Sequence, residues 1–362
     1  MNRITDVLIL KRLNMTTTNL LLSIPFLLLA ATGCTTEEIS DTPIPNEKGE
    51  YAVNFSGGLD MEQTKSGTTN LADGVKVTIS AYAHDATETA IASGKYAASS
   101  GGFTGESSYT MYLARGSYDF YAVSCNSTTK EVPAFTKGTS SDLENGVDYI
   151  WAQAANQDIE NTEKSITLGL AHKAVCIEIT VKTAANSGIE LISWEGDAAT
   201  DNDNATIMPP AVTDCKMSLS TGVITPAAGV VSGVTASNMI TTAVQGTSGY
   251  GNEKIATASY YILPLAKKDD SHSHELTVTF KVKVKIDGHD YTIANTNGES
   301  KTYTTKLTAP ASGSYAFEAG KKYTYTATLK PNTISFTGAT VTAWEEGVKE
   351  SPLTPTEPEP AS

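Results

Sequence analysis

Five histidines and four cysteines are the side chains best suited to metal, redox or nucleophilic chemistry in this 362-residue chain. The histidines are His84, His172, His272, His274 and His289. The densest cluster is DDSHSHE, Asp269 to Glu275. Histidines at i and i+2 point the same way on a strand, and a nearby carboxylate could complete a cation site. The cluster, however, lies between ILPLAKK and a long alternating run, where a solvated turn is expected, and no second ligand group is near in sequence. DNDN, Asp201 to Asn204, has calcium-type donors but lacks the Gly and distal Glu of a calcium loop, so it too reads as a solvated turn. There is no G-x-S-x-G elbow, Walker loop, HExxH or CxxC. Cys125, Cys176 and Cys215 have no short spacing and form neither a zinc pattern nor a disulfide framework; at most one bridge could form. The aromatic group Tyr109, Tyr112, Tyr118, Phe120 and Tyr121 could stack on sugars, but in a β-protein it reads first as core and sheet face. The expectation is therefore no catalytic residue, no metal, no cofactor and no enzyme.

The elements around these residues follow from a period of two. The clearest run is LTVTFKVKVKI, with Leu276, Val278, Phe280, Val282, Val284 and Ile286 on one face and three lysines among the residues of the other. Such alternation predicts a half-buried antiparallel strand. Asp287-Gly288 then predicts a tight hairpin into HDYTIA. Further strands are expected in YAVNFSG, GVKVTISAYA, SYTMYLARGSYDFYAVS, DYIWAQA, ITLGLAHKAVCIEITVK, KKYTYTATLK and NTISFTGATVTAW. Helical periodicity is nearly absent, so the fold class is all-β, and the many short strands separated by Gly, Asn, Ser and Asp turns predict β-sandwiches. A turn-rich stretch at residues 182–190 marks the expected boundary between two domains, residues 50–185 and 186–348. The four prolines of residues 349–362 predict a disordered tail. The net charge of −14 speaks against nucleic acid as a partner.

The N-terminus carries Arg3, Lys11 and Arg12, then an apolar run from Leu20 to Ala31 that is too short to span a bilayer. This is the pattern of a secretory signal, residues 1–33. Ala31-Thr32-Gly33-Cys34 resembles the lipobox of bacterial lipoproteins, with Ala31 where Leu is usual. The resemblance implies that Cys34 is lipidated after the cut, and two acyl signals suffice for stable anchoring in the outer membrane. An ordinary secretory signal with an incidental cysteine is the plainer alternative. Residues 34–49 are polar and Pro-containing and read as a flexible tether. Glu37 and Glu38 resemble the surface-export signal of Bacteroidetes lipoproteins.

Three further stretches resemble the fimbrillin family: GSYDFYAVS, LGLAHKAVCIEITV with His172 and Ala174 in matching places, and FEAGKKYTYTATL followed by ISFTGATVTAWEEG. The resemblance runs over residues 50–347. It implies two transthyretin-like Greek-key β-sandwiches in tandem and a structural or adhesive pilus subunit. It also implies partnership with other pilin subunits by strand donation, from a C-terminal segment in which Ile334, Phe336 and Val341 alternate with polar residues. His172 is read as structural. In the best-known fimbrillins an arginine after the first strand is cut; here the matching position is Lys65, so either a lysine-tolerant protease cuts there or the first strand stays and the subunit ends a chain. The alternative is a non-polymerising surface lipoprotein of the same fold that binds a glycan or a host or bacterial surface ligand.

Overall fold

The alternating runs become strands, and their order explains where the cores lie. The computed structural model describes residues 45–60, 68–184, 186–194, 205–225, 235–242, 245–246, 254–266, 275–286, 289–292, 303–308, 315–330, 333–336 and 340–343. Residues Thr42–Ser362 form one compact unit, and its described part is all-β.

The first half contains β1 (Tyr51–Asp60), β2 (Thr68–Thr69), β3 (Lys76–Ala83), β4 (Ala92–Ser99), β5 (Gly102–Gly105), β6 (Met111–Leu113), β7 (Gly116–Ser124), β8 (Phe135–Thr136), β9 (Thr139–Ser140), β10 (Ile150–Ile159) and β11 (Lys164–His172). One nine-stranded sheet runs β11-β10-β7-β3-β4-β5-β1-β2, with β6 also on β1. Strand β1 then pairs with β11, so the hydrogen bonding returns to its start. The expected sandwich is thus closed along one side, because β1 uses both of its edges. This closure encloses a core that includes Val53, Phe55, Leu59, Ile79, Phe120, Ile150 and Leu168.

The second half contains β12 (Val175–Thr183), β13 (Ile189–Trp194), β14 (Ala205–Met208), β15 (Ser237–Asn238), β16 (Ile240–Thr241), β17 (Gln245–Gly246), β18 (Lys254–Ile262), β19 (Leu265–Ala266), β20 (Glu275–Phe280), β21 (Val282–Ile286), β22 (His289–Thr292), β23 (Tyr303–Thr308), β24 (Tyr315–Phe317), β25 (Lys321–Lys330), β26 (Thr333–Phe336) and β27 (Thr340–Ala343). A seven-stranded sheet runs β16-β18-β12-β25-β26, with β17 on β18 and β27 on β25. Smaller sheets, β13-β21-β22 and β15-β14-β20-β23, pack into the same core: Leu191, Ile207, Val278 and Val282 join Ile177, Ile179 and Tyr325.

Two expectations change, and one further feature appears. The change of sheet comes at Lys173, between β11 and β12, ahead of the boundary expected at residues 182–190. Strand β12, placed with the first half by that boundary, pairs with β18 and β25 of the second sheet. The buried positions change from even-numbered (Ile166, Leu168, Leu170) to odd-numbered (Val175, Ile177, Ile179) here, but no turn residue marks the change. The run at residues 276–286 is two strands rather than one. Its buried face is continuous, but the partners change at Lys281 from β14 and β23 to β13 and β22. The hairpin is present, with Ile286 opposite His289. Finally, the halves share apolar packing. Strand β7 is buried on both faces: Tyr118, Phe120 and Ala122 enter the first core, whereas Tyr121 and Val123 enter the second with Tyr82, Cys125, Leu143 and Tyr149. Hydrogen bonds reinforce this. The Leu143 N–H donates to Cys215 O at 2.7 Å, Gly146 N–H to Tyr261 O at 2.7 Å, and Leu263 N–H to the Asn145 side chain at 2.9 Å.

Candidate functional site

Strand β1 is the closing piece of the first sheet, and its sequence explains how it fits. Tyr51, Val53, Phe55 and Leu59 are buried, while Asn54 is exposed. Phe55 meets Tyr96 and Phe120 edge-on, with ring centroids 5.4 and 5.6 Å away. On one side β1 runs antiparallel to β6, through Tyr51 to Val53, and to β5, through Phe55 and Ser56. On the other it runs parallel to β11, from Val53 opposite Lys164 to Leu59 opposite Leu170. Polar pairs line the outside of this seam: the Asn54 amide donates to Glu163, and Ser56 Oγ lies 3.3 Å from Thr167 Oγ1.

Gly57 sets the register. Its φ is +144°, and a Cβ there would stand 1.9 Å from the carbonyl oxygen of Leu168. Only glycine tolerates both the backbone angle and the approach. Any strand in this place must therefore present apolar groups at the positions of Val53 and Phe55 and no side chain two residues later. Without β1, the edges of β5, β6 and β11 would lose their partner, leaving an apolar groove with unpaired backbone on both sides.

The C-terminal strands occupy the opposite situation. Strands β26 and β27 both pair with β25, at the edge of the second sheet: Ile334 lies opposite Leu329, Phe336 opposite Ala327 and Val341 opposite Tyr323. Among the described residues each has one strand neighbour.

Among the described residues one grouping brings three metal-capable side chains together: ligand atoms of His84, Asp85 and Asp119 lie within 4.8 Å of one another. The hydrogen bonds explain it otherwise. Buried Asp119 accepts His84 Nδ1 at 3.0 Å, the Asp85 N–H at 3.0 Å and the Asn156 N–H at 2.7 Å. Asp85 and Asn156 both have positive φ, 63° and 51°, and Asn156 sits where the β7–β10 register shifts. The carboxylate thus pins two strained turns onto β7, and its oxygens are already engaged. Burial pushes the Asp119 carboxyl up, but the hydrogen bonds from Asn156, His84 and Asp85 outweigh it and hold it below the usual range. The hydrogen bond to Asp119 raises His84, partly opposed by desolvation and helped by Asp85 and Asp158.

His172 is buried and bonds Asp148 Oδ1 at 2.8 Å; the other carboxylate oxygen accepts the Asn126 amide at 2.8 Å. It supports the end of β11 where the chain leaves for the second sheet, the structural part expected for it. Cys125, Cys176 and Cys215 are buried. Burial pushes the Cys125 thiol up to about 12 and the Cys215 thiol up to about 11, so neither is poised as a nucleophile. Of the aromatic group, Tyr118, Phe120 and Tyr121 are core, while Tyr109 and Tyr112 are exposed. Cys34, Glu37, Glu38, Lys65, Asp201 to Asn204, His272 and His274 lie outside the described residues.

Fold and site together define an all-β protein of two cores whose first sheet is closed by its own N-terminal strand. Residues 64–344 match the model of the fimbrillin-like family, and the chain belongs to that family. A candidate cell adhesion protein from Bacteroides ovatus is similar at 15% identity, over 83% of this chain and 99% of that one, with a TM-score of 0.50. A candidate cell adhesion protein from Bacteroides uniformis matches at 17% identity, over 82% and 100%, with a TM-score of 0.47. The tip fimbrial protein Mfa3 from Porphyromonas gingivalis, with C-terminal truncation, matches at 9% identity, over 82% and 100%, with a TM-score of 0.40. No curated protein matches the chain.

Proposed function

We propose that this chain is a fimbrial subunit of the bacterial surface, structural and adhesive rather than catalytic. It is exported as a lipoprotein on Cys34, carried outward with the help of Glu37 and Glu38, and joined to other subunits by strand donation. The two halves act as the tandem transthyretin-like sandwiches that the family resemblance implies. The observation that carries this reading is β1. It is the first strand among the described residues and the closing strand of its sheet, and it is followed in sequence by the polar segment around Lys65. A cut after Lys65 separates the rest of the fold from β1 and from the lipid anchor in one step. The strand can then leave, and the groove accepts the C-terminal strands of a neighbour. Strand addition of this kind draws affinity from backbone hydrogen bonds and specificity from pockets for alternate side chains.

The test is imaging of intact cells carrying a label on this protein. Filaments decorated along their length are expected. A diffuse surface coat with no filament would contradict assembly.

A further inference from the structure

We propose that the first core carries a binding site for a neutral sugar ring, with the side chain of Tyr109 as its movable plug and the hydroxyl of Tyr96 as its buried polar contact. The proposal gives a ligand class to the adhesive part of the reading above and does not depend on strand donation.

Tyr96 is 3% exposed, and among the described residues its hydroxyl has no hydrogen-bond partner. A buried hydroxyl in that state costs free energy. Other buried tyrosines here show the usual solution: the Tyr118 hydroxyl donates to the Ala114 carbonyl oxygen, and those of Tyr149 and Tyr323 accept backbone N–H groups. What lies against Tyr96 instead is Tyr109, edge-on, with ring centroids 5.9 Å apart. Two glycines admit it. A Cβ at Gly94 would stand 2.2 Å from Tyr109 Cε1 and 3.0 Å from Tyr96 Cε2, and a Cβ at Gly105, opposite Tyr96 on β5, would stand 2.0 Å from the Tyr109 carbonyl oxygen. Strands β4 and β5 thus leave a seat for one six-membered ring, beside the half of Tyr96 that bears the hydroxyl.

Tyr109 fills this seat without satisfying it. It keeps 37% of its surface exposed and leaves the Tyr96 hydroxyl unbonded. It is presented by the turn Glu106–Ser108, in which Ser107 and Ser108 have φ of 53° and 62°. Residues with a Cβ are disfavoured in that region. Opening the turn releases this strain, which offsets the loss of the part of Tyr109 that is buried.

The surroundings select the occupant. A ring that replaces Tyr109 must offer C–H groups to an aromatic neighbour and a group that exchanges a hydrogen bond with a phenolic hydroxyl. A sugar ring offers both. At the mouth stand the exposed hydroxyls of Ser107, Ser108 and Thr110, and the Glu106 carboxylate, which can accept two adjacent sugar hydroxyls. An anionic sugar is disfavoured: Glu106 repels it, and Lys95, on the same strand as Tyr96, is bonded to Glu131 at 2.9 Å.

The test uses the uncut chain, residues 34–362, and saturation-transfer NMR with the methyl glycosides of glucose, galactose, mannose, fucose and N-acetylglucosamine. Tetramethylammonium serves as the cationic control, since an aromatic site beside a carboxylate could also hold a cation. At least one glycoside is expected to bind. Tyr96→Phe removes only the hydroxyl; it should weaken binding about ten-fold, the worth of one hydrogen bond, with no fall in Tm. Tyr109→Ala removes the plug and should strengthen binding. Binding unchanged by Tyr96→Phe, or a lower Tm in that variant, would overturn the role of the hydroxyl and the proposal with it. Failure of every glycoside to bind either the unchanged chain or Tyr109→Ala would overturn the site. Tighter binding of tetramethylammonium than of every glycoside would overturn the ligand class. Filament assembly is read separately, by the imaging above, so either reading can fail alone.

Discussion

The indole Nε1 of Trp151 donates to the carbonyl oxygen of Leu219 at 2.7 Å, tying strand β10 of the first sheet to the segment that follows β14. Gly222 makes room for this contact: its φ is +66°, and a Cβ there would lie 2.5 Å from the indole. Lys173 Nζ sits 4.7 Å from the ring centroid on the strand connection where the sheets change. With the shared core around Tyr121 and Val123, the contact joins the two halves.

Unfolding of the folded part should accordingly be a single transition. Trp151→Ala should cost about 3 kcal/mol, the low end for truncating a packed aromatic side chain, and should separate the unfolding of the halves. Calorimetry and tyrosine fluorescence would follow it. Two transitions already present in the unchanged chain would contradict the coupling.

Gly57→Ala asks whether the fit of β1 is as tight as its geometry. The substitution meets an unfavourable backbone angle and a backbone oxygen that cannot move aside alone, so β1 must shift against β11. The expected loss is about 2–4 kcal/mol. Hydrogen exchange should rise first along Val53 to Leu59 and along Ile166 to Leu170. Unchanged exchange in both segments would show that the seam has slack.

The Asp119 clamp predicts a pH dependence with opposite signs at its two ends. His84 is raised in the folded state, so its contribution is full below its ordinary value of about 6.5 and is lost as pH rises through the raised value. Asp119 is lowered, so its contribution is full above its ordinary value of 3.8 and is lost as pH falls through the lowered one. Titration of the His84 ring proton by NMR should give a midpoint above the ordinary histidine value, and Asp119→Asn should bring it back. A midpoint at or below that value in the unchanged chain would contradict the clamp.

Much of this fold is legible in the residues, because a period of two is a local property. The buried faces of β12, β20 and β21 follow from Val175, Ile177, Ile179 and from Leu276 through Val284. Which strands pair is not local. The closure of β1 on β11 joins Val53 to Lys164, and no short pattern marks that seam. The shift of sheet at Lys173 is marked only by a change of phase, from Leu168 and Leu170 to Val175 and Ile177, with no turn residue between them. The clamp was out of reach for a different reason: Asp119 in GSYDFYAVS occupies an ordinary outward slot, and only burial of both faces of β7 turns it into a buried acid that needs partners. An acidic residue between Tyr118 and Phe120, in a strand apolar on both sides, is the signal that would have found it.

Export makes a separate prediction. Cys34→Ala should release the protein from membranes or leave an uncut precursor, detectable by fractionation and intact mass. Correct processing with unchanged outer-membrane association would contradict lipidation. Replacing Glu37 and Glu38 by Ala should leave the protein membrane-bound but shielded from added protease; unchanged digestion on intact cells would remove them from the export signal.

The central claim is that β1 leaves its sheet so that another strand can take its place. N-terminal sequencing of this chain from the shafts of purified surface filaments tests it most directly. A start at Ser66 is predicted, one residue after Lys65 and beyond the whole of β1. A start at lipidated Cys34 along the shaft, with β1 still attached, would contradict the account, and so would a start at Gly116, which would place the cut inside the first sheet.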